Sequence, residues 1–141
     1  MQKRFYVDTS AWRDFLENRS DGLRPLGEFA FRFLNKCREN QCIIFVSDVV
    51  KVELEKDISK ERIMAMFSPF EEIIRHISAT TREFSNAKNE WIKRGKNLPF
   101  NDIFHAVIAK SHGATLVSRD RHFDLLDHVV EVKKPEELIF C

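Results

Sequence analysis

The sequence is poor in the residues that mark fibrous, disordered and disulfide-bonded proteins. It has only 4 glycines and 4 prolines among 141 residues, too few for a collagen-like, glycine-rich or disordered chain. Its 3 cysteines, Cys37, Cys42 and Cys141, are odd in number and show no CxxC spacing. Cys37 and Cys42 fall in or beside apolar stretches, so we expect them to be small core residues of a reduced compartment.

Long apolar runs and an excess of one charge are also missing. No run approaches the roughly 18 residues of a membrane span. The charged N-terminus MQKRFYVDTS lacks a signal peptide's apolar stretch, which predicts a cytoplasmic protein without a membrane partner. The 23 basic and 22 acidic residues give a net charge of +1, so no basic excess indicates a nucleic-acid binder. Acidic metal ligands would offset a basic rim in the net charge, so a nucleic-acid binder is not excluded.

The length of 141 residues suits a single domain spanning residues 1–141. Short β-branched or aromatic runs predict strands at Arg4–Val7, Cys42–Val46, Ala114–Val117 and Val129–Val132, with a weaker candidate at Glu72–Ile77. These runs are continuously apolar, as strands covered on both faces are. Helical spacing covers Pro25–Asn40, Thr80–Arg94 and Asp102–His112. The alternation predicts an α/β fold, a three-layer α/β/α sandwich around a mostly parallel sheet.

Four acids are placed where the ends of such strands would meet: Asp8, Glu53, Asp102 and Asp120. Ligands of an open parallel sheet bind outside the carboxyl ends of its strands. Asp8 ends the first strand, and Asp120 follows the strand at Ala114–Val117. Ser47 can cap a helix in whose second turn Glu53 leans back toward the same edge. Asp102 stands in the first turn of its helix, so we expect the four carboxylates to share one rim.

Carboxylates gathered at one rim repel each other. At ~4 Å and an effective dielectric constant of ~20, each like-charged pair costs about 4 kcal/mol, so the site must take up protons or a cation. Oxygen ligands without cysteine or imidazole select hard ions, here one or two Mg²⁺ or Mn²⁺ ions. Such an ion generates hydroxide from water and neutralises charge on a phosphodiester. The pattern therefore predicts phosphodiester hydrolysis.

The order and spacing of these residues resemble the PIN domain, the metal-dependent ribonuclease fold of VapC-type toxins in toxin–antitoxin pairs. The resemblance runs from FYVDTSAW through VSDVVKVEL and LPFNDIFHAVIAKSHGATLVSRDRHFDLL to VKKPEEL. It implies a parallel sheet of about five strands with helices on both faces. It also implies an RNA substrate, an antitoxin partner and a catalytic metal site in which Asp8, Glu53, Asp102 and Asp120 hold the ions and position the attacking water.

Hydroxyls and a further carboxylate flank these acids: Thr9, Ser10, Ser118 and Asp124. The resemblance implies that Ser10, or else Thr9, orients Asp8 or a water molecule on the metal. It implies the same role for Ser118 toward Asp120. We expect Asp124 to lie near the site without binding the ion directly.

Several basic residues are candidate substrate contacts: Lys93, Arg94, Lys96, Arg119 and Arg121. Local ion pairs would equally explain the two arginines that flank Asp120, and a solvated helix end would explain the basic run. On the helix from Pro25, the apolar positions Phe29, Phe31, Phe33 and Leu34 are broader than one buried face needs. They would suit a homodimer or a partner peptide.

The sequence lacks the motifs of other α/β enzymes. The sequence has no GxGxxG, GxxxxGK[ST] or GxSxG, which excludes dinucleotide, P-loop and nucleophile-elbow sites. Ser10 stands where a phosphatase with an aspartyl nucleophile has its second Asp. Two alternatives to a toxin nuclease stay open, a housekeeping RNA-processing nuclease and a non-catalytic module that binds RNA or protein.

Overall fold

The computed structural model describes residues 2–139, in which strands and helices alternate; Cys141 lies outside this range. The strands are β1 (Arg4–Val7), β2 (Ile43–Ser47), β3 (Ile74–Ile77), β4 (Thr115–Val117) and β5 (Val132–Lys133). The helices are α1 (Thr9–Glu17), α2 (Leu26–Glu39), α3 (Asp48–Glu55), α4 (Lys60–Phe67), α5 (Thr81–Lys93), α6 (Phe100–Ser111) and α7 (Pro135–Leu138). Short 3₁₀ helices cover Ser68–Phe70 and Arg121–Leu126.

The five strands form one sheet in the order β3-β2-β1-β4-β5. All four neighbouring pairs are parallel, which confirms the α/β fold predicted from the sequence. From β1 the chain forms β2 and then β3 on one side of the sheet. It then crosses back to form β4 and β5 on the other side of β1. Because parallel crossovers are right-handed, this reversal puts α1 to α4 on one face and α5 and α6 on the other.

The core lies on both faces of the sheet. Every residue of β2 is buried, and Tyr6, Trp12 and Ile103 are inaccessible to solvent. Cys37 and Cys42 are buried free thiols, as their apolar surroundings predict. None of the helices within residues 2–139 has the length and hydropathy that crossing a bilayer requires.

The element boundaries differ from the sequence predictions in identifiable ways. The strand predicted at Val129–Val132 begins only at Val132, because the backbone N–H groups of Val129 and Val130 bond back to the Leu126 carbonyl in a turn. Likewise, β2 starts at Ile43 because the Cys42 N–H bonds to the Cys37 carbonyl. Three helices, α1, α4 and α7, were not predicted. They are short, and short helices depend on tertiary packing more than on a long periodic pattern.

Candidate active site

Asp8 is a buried carboxylate at the carboxyl end of the central strand β1, with only 4% of its surface exposed. Its side chain caps α1 by accepting the Ala11 N–H at 3.0 Å. It also accepts the hydroxyls of Ser10, at 2.9 and 3.0 Å, and Ser118, at 2.8 Å. Burial raises the pKa of Asp8 to about 6 despite these hydrogen bonds, because desolvation disfavours the charged form.

Glu53 lies on α3 and is held by three side chains. Its Oε1 accepts hydrogen bonds from Thr9 Oγ1 at 2.7 Å and His105 Nε2 at 2.6 Å, and its Oε2 accepts one from Asn101 Nδ2 at 3.4 Å. Burial acts to raise the pKa of Glu53, but these hydrogen bonds, above all that from His105, outweigh it and lower the pKa to about 2. Glu53 is therefore ionised at neutral pH.

Asp102, Asp120 and His122 form a cluster whose ligand atoms all lie within 4.8 Å of one another. His122 Nδ1 is 2.9 Å from Asp102 Oδ2 and 3.4 Å from Asp120 Oδ1. Burial and the neighbouring charge of Asp120 raise the pKa of Asp102, partly offset by the hydrogen bond with His122. Two carboxylates and an imidazole thus converge on one small volume.

Ser118 and Thr9 contact acids other than those that the sequence assigned to them. The Ser118 hydroxyl bonds to Asp8 and accepts the backbone N–H of Asp120 at 3.0 Å. This contact differs from the expectation that Ser118 orients the carboxylate of Asp120. Thr9 differs too, because it follows Asp8 in the chain but bonds to Glu53. Of the four predicted acids, the structure brings Asp102 and Asp120 into one cluster, whereas Asp8 and Glu53 lie outside that cluster and are held by their own hydrogen-bond partners.

The donor set fits a divalent cation. Oxygen atoms dominate it, as Mg²⁺ and Mn²⁺ require, and the imidazole of His122 adds one nitrogen. Burial raises the pKa of Asp8, and burial together with the charge of Asp120 raises the pKa of Asp102; a bound cation would favour the ionised form of both. Asp124 lies on the exposed side of its 3₁₀ helix and outside the cluster found within residues 2–139.

The two arginines that flank Asp120 have different surroundings. Arg119 donates to both carboxylate oxygens of Glu136, at 2.7 and 2.5 Å. Its guanidinium also lies 3.9 Å from Asp14 and over the ring of Phe29. Arg119 is therefore engaged in local ion pairs, whereas Arg121 is exposed to solvent.

The basic residues at the end of α5 also differ in whether they are paired or exposed. Arg94 bonds to the Glu90 side chain at 3.0 Å and to the Leu125 carbonyl at 3.1 Å, and so ties the end of α5 to the 3₁₀ helix at Arg121–Leu126. Lys93 and Lys96 are exposed, with the Lys96 ammonium 4.9 Å from the Trp91 ring centre. Of this run, the two lysines remain accessible to a substrate.

The sequence analysis missed several residues that contact the acids or the side chains holding them. His105 carries a usable signal, because its position one turn after Asp102 places both residues on one face of α6. His122 carries none, because it shows no metal-ligand spacing such as HExxH. Asn101, which contacts Glu53, and Tyr6, which contacts His105, give no signal either, since a polar residue at a helix start and a tyrosine in a strand are both ordinary.

Fold and site together define an α/β protein with an acidic cluster at the carboxyl edge of a parallel sheet. The PIN domain family model matches residues 5–129, and the chain belongs to this family. PIN domains are nucleases, so a hydrolase acting on nucleic acid is the general class of enzyme that this membership supports.

Solved structures with the same fold include two VapBC complexes. The chain is similar to VapBC2 from Rickettsia felis bound to promoter DNA, at 17% identity and a TM-score of 0.69 over 93% of this chain and 98% of the other. It is similar to DNA-bound VapBC from Salmonella typhimurium at 20% identity and a TM-score of 0.68, over 96% and 99% of the two chains.

A third similar structure is VapC20 from Mycobacterium tuberculosis, described as a sarcin-ricin loop cleaving toxin. It is 17% identical to the chain, with a TM-score of 0.63 over 86% of this chain and 94% of the other. Comparison with curated protein sequences gives no match. At these identities the structural likeness establishes the fold alone.

Proposed function

We propose that the protein is a divalent-metal-dependent endoribonuclease that hydrolyses RNA phosphodiester bonds, and that it acts in the cytoplasm as the toxin of a toxin–antitoxin pair. The observation that carries the proposal is the convergence of Asp102, Asp120 and His122 within 4.8 Å, linked by Ser118 to the buried Asp8. Such a group of carboxylates, two of them with raised pKa values, favours a cation.

Asp8, Glu53, Asp102 and Asp120 would hold the Mg²⁺ or Mn²⁺ ions, with His122 as a fifth donor. A divalent ion there supplies Lewis-acid polarisation of the phosphodiester and lowers the pKa of a water molecule. Glu53 contributes a fixed negative charge, because its pKa is about 2. Asp8 contributes a second charge, since a neighbouring cation favours its ionised form.

The substrate would approach over the exposed side of these acids. An open cavity of about 240 Å³ lies beside Glu53 and is lined on its rim by Lys56 and Asn101. Lys56 can meet a phosphate there, and the exposed Arg121 stands next to Asp120 in the chain. A few cationic contacts and a near-neutral net charge of +1 imply modest, salt-sensitive RNA affinity, so RNA shape would contribute to target choice.

The toxin assignment is supported by the likeness to VapBC complexes and to VapC20. An antitoxin protein would then be the partner that covers the acidic rim. A homodimer is a further proposal, for which the half-exposed Phe31, stacked on Phe15 with ring centres 6.1 Å apart, offers apolar surface. Sedimentation as a clean monomer would reject the dimer.

The test is cleavage of end-labelled structured and single-stranded RNA with Mg²⁺, Mn²⁺ or EDTA, comparing the wild type with Asp102→Asn. We expect cleavage by the wild type with either metal and none with EDTA or with the variant. Metal-stabilised wild type that cuts no RNA would instead favour the non-catalytic binding module.

The housekeeping nuclease differs from the toxin in its effect on cells. Induced expression of a toxin should arrest growth, and Asp102→Asn should relieve the arrest. Cleavage in vitro without growth arrest would favour RNA processing as the biological role.

A further inference from the structure

A buried chain of polar side chains lies behind Glu53. Tyr6 Oη is 2.6 Å from Ser47 Oγ and 2.6 Å from His105 Nδ1, and His105 Nε2 is 2.6 Å from Glu53 Oε1. Ser47 and Tyr6 are inaccessible to solvent, and His105 is 3% exposed. These residues come from the end of β2, the middle of β1 and the interior of α6, so three separate elements converge on one carboxylate.

The hydrogen bonds of this chain are compatible with one direction, from Ser47 toward Glu53. Ser47 Oγ accepts the Val50 N–H at 3.2 Å, and within residues 2–139 its own proton has Tyr6 as its partner. With Ser47 as the donor, Tyr6 donates to Nδ1 of His105, and Nε2 of His105 donates to Glu53. This direction corresponds to the Nε2–H tautomer of His105.

This arrangement makes the two oxygens of Glu53 unequal. Oε1 accepts two short hydrogen bonds, from Thr9 and His105. Among the residues that the structure describes, Oε2 has a single longer contact of 3.4 Å, with Asn101. The α3 backbone at Glu53 is fixed as well, since its carbonyl accepts a hydrogen bond from Arg13 at 2.9 Å. Oε2 is thus the oxygen left to meet a ligand.

We propose that His105, braced by Tyr6, is a positioning residue that holds Glu53 so that Oε2 faces the divalent ion. The inference rests on the proposed function only in taking that ion to be present. Purely structural packing does not require this chain, because Phe at position 6 and Leu at position 105 would fill the space without burying the Tyr6 hydroxyl and the His105 imidazole. Partners of a ligating carboxylate affect metal affinity strongly.

Mn²⁺ affinity of the purified protein, measured by titration calorimetry, tests the proposal. We expect His105→Leu to weaken Mn²⁺ binding about 10- to 100-fold. His105→Gln should lose much less, because its amide nitrogen can still donate to Glu53. Tyr6→Phe should fall between them, and Tyr6→Phe combined with His105→Leu should match His105→Leu alone, because Tyr6 acts through His105.

Ile108→Val is the matched control, because Ile108 is fully buried on the same helix and outside the polar chain. It should lower the melting temperature without changing Mn²⁺ affinity. Nitrogen-15 NMR of the wild-type imidazole gives a second readout, with the Nε2–H tautomer of His105 expected. The Nδ1–H tautomer, unchanged Mn²⁺ affinity in folded His105→Leu, or additive effects in the double variant would overturn the proposal.

These outcomes separate the positioning role from the nuclease role. Wild type that binds Mn²⁺ but cleaves no RNA would reject the nuclease while the variant series still tests His105. Equal Mn²⁺ affinity across the series would reject the positioning role even for an active ribonuclease. Wild type that binds no Mn²⁺ would reject both.

Discussion

Ser118 donates a hydrogen bond of 2.8 Å to Asp8, a residue 110 positions earlier in the chain. The contact follows from the sheet register, in which Val7 of β1 is paired with Val117 of β4, so the next residue of each strand stands at the same edge. A carboxylate buried at this place is costly to ionise, and its pKa is raised to about 6.

Asp8→Asn should stabilise the metal-free protein at neutral pH. The pKa of Asp8 rises from 3.8 to about 6 on folding, so wild-type stability falls as pH rises through this interval. Asn stays neutral and still caps α1. In EDTA at about pH 7.5 the variant should gain up to about 3 kcal/mol, from a shift of roughly two pKa units. Urea unfolding at several pH values measures this difference.

The gain should shrink toward zero below about pH 4, where Asp8 is protonated in both states. Mn²⁺ should reverse the order of stability by stabilising the wild type more. Asp124→Asn, at an exposed carboxylate, is the control and should change neither curve. A pH-independent difference between Asp8→Asn and the wild type would contradict the buried-carboxylate explanation.

Ser118→Ala should reduce Mn²⁺ affinity and RNA cleavage by about tenfold, because the hydroxyl links Asp8 to the Asp120 backbone. Ser111→Ala is a matched control, since that hydroxyl also bonds to a carboxylate, Glu83, away from the acids. The control should lower the melting temperature and leave Mn²⁺ affinity unchanged. Equal losses of affinity in the two variants would point to a general packing effect.

His122→Asn should weaken Mn²⁺ binding more than Mg²⁺ binding, because Mg²⁺ prefers oxygen and Mn²⁺ accepts the imidazole nitrogen more readily. Competition titrations of the two ions give the ratio of Mn²⁺ affinity to Mg²⁺ affinity, and this ratio should fall about tenfold. His128→Asn serves as the control, because His128 is also exposed but pairs with Arg94 and Glu90. An unchanged ratio would show that His122 is not a ligand.

The arginines on either side of Asp120 should have opposite phenotypes. Arg119→Ala should cost about 2 kcal/mol of stability, because it removes the arginine that pairs with Glu136 and leaves Asp14 with Arg19 alone. Arg121→Ala should leave stability unchanged and weaken RNA binding. The slope of log RNA affinity against log salt concentration should fall by roughly the amount of one phosphate contact. Unfolding curves and binding at several salt concentrations measure both. A stable Arg119→Ala variant with weakened RNA binding would contradict this prediction, because it would show that Arg119 contacts RNA rather than stabilising the fold.

Much of the architecture was predictable from local signals. Continuous apolar runs indicated the strands, and glycines with positive φ, Gly95 and Gly113, mark the ends of predicted helices. Parallel strands bring their carboxyl ends to one edge, which predicts a shared rim for Asp8, Glu53, Asp102 and Asp120; the structure groups Asp102 with Asp120 and joins Asp8 to the Asp120 backbone through Ser118. Helix α1 was not predicted because it is short, although Asp8 caps its first turn.

The contacts within the site were not predictable to the same degree. Whether the Ser118 hydroxyl turns to Asp8 or Asp120 depends on side-chain rotamers at a crowded edge. The chain from Ser47 through Tyr6 to His105 joins residues up to 99 positions apart. Its members are individually common in strands and helices, so only their three-dimensional meeting shows that they support Glu53.

The most direct measurement is the chemistry of the RNA ends produced with Mn²⁺. Hydrolysis by water predicts linear phosphate and hydroxyl ends without a 2′,3′-cyclic phosphate, cleavage even where a 2′-deoxynucleotide replaces the reacting one, and no product with EDTA or Asp102→Asn. Cleavage that persists in EDTA and leaves 2′,3′-cyclic phosphates would show attack by the RNA's own 2′-hydroxyl, and would contradict a metal-dependent hydrolase.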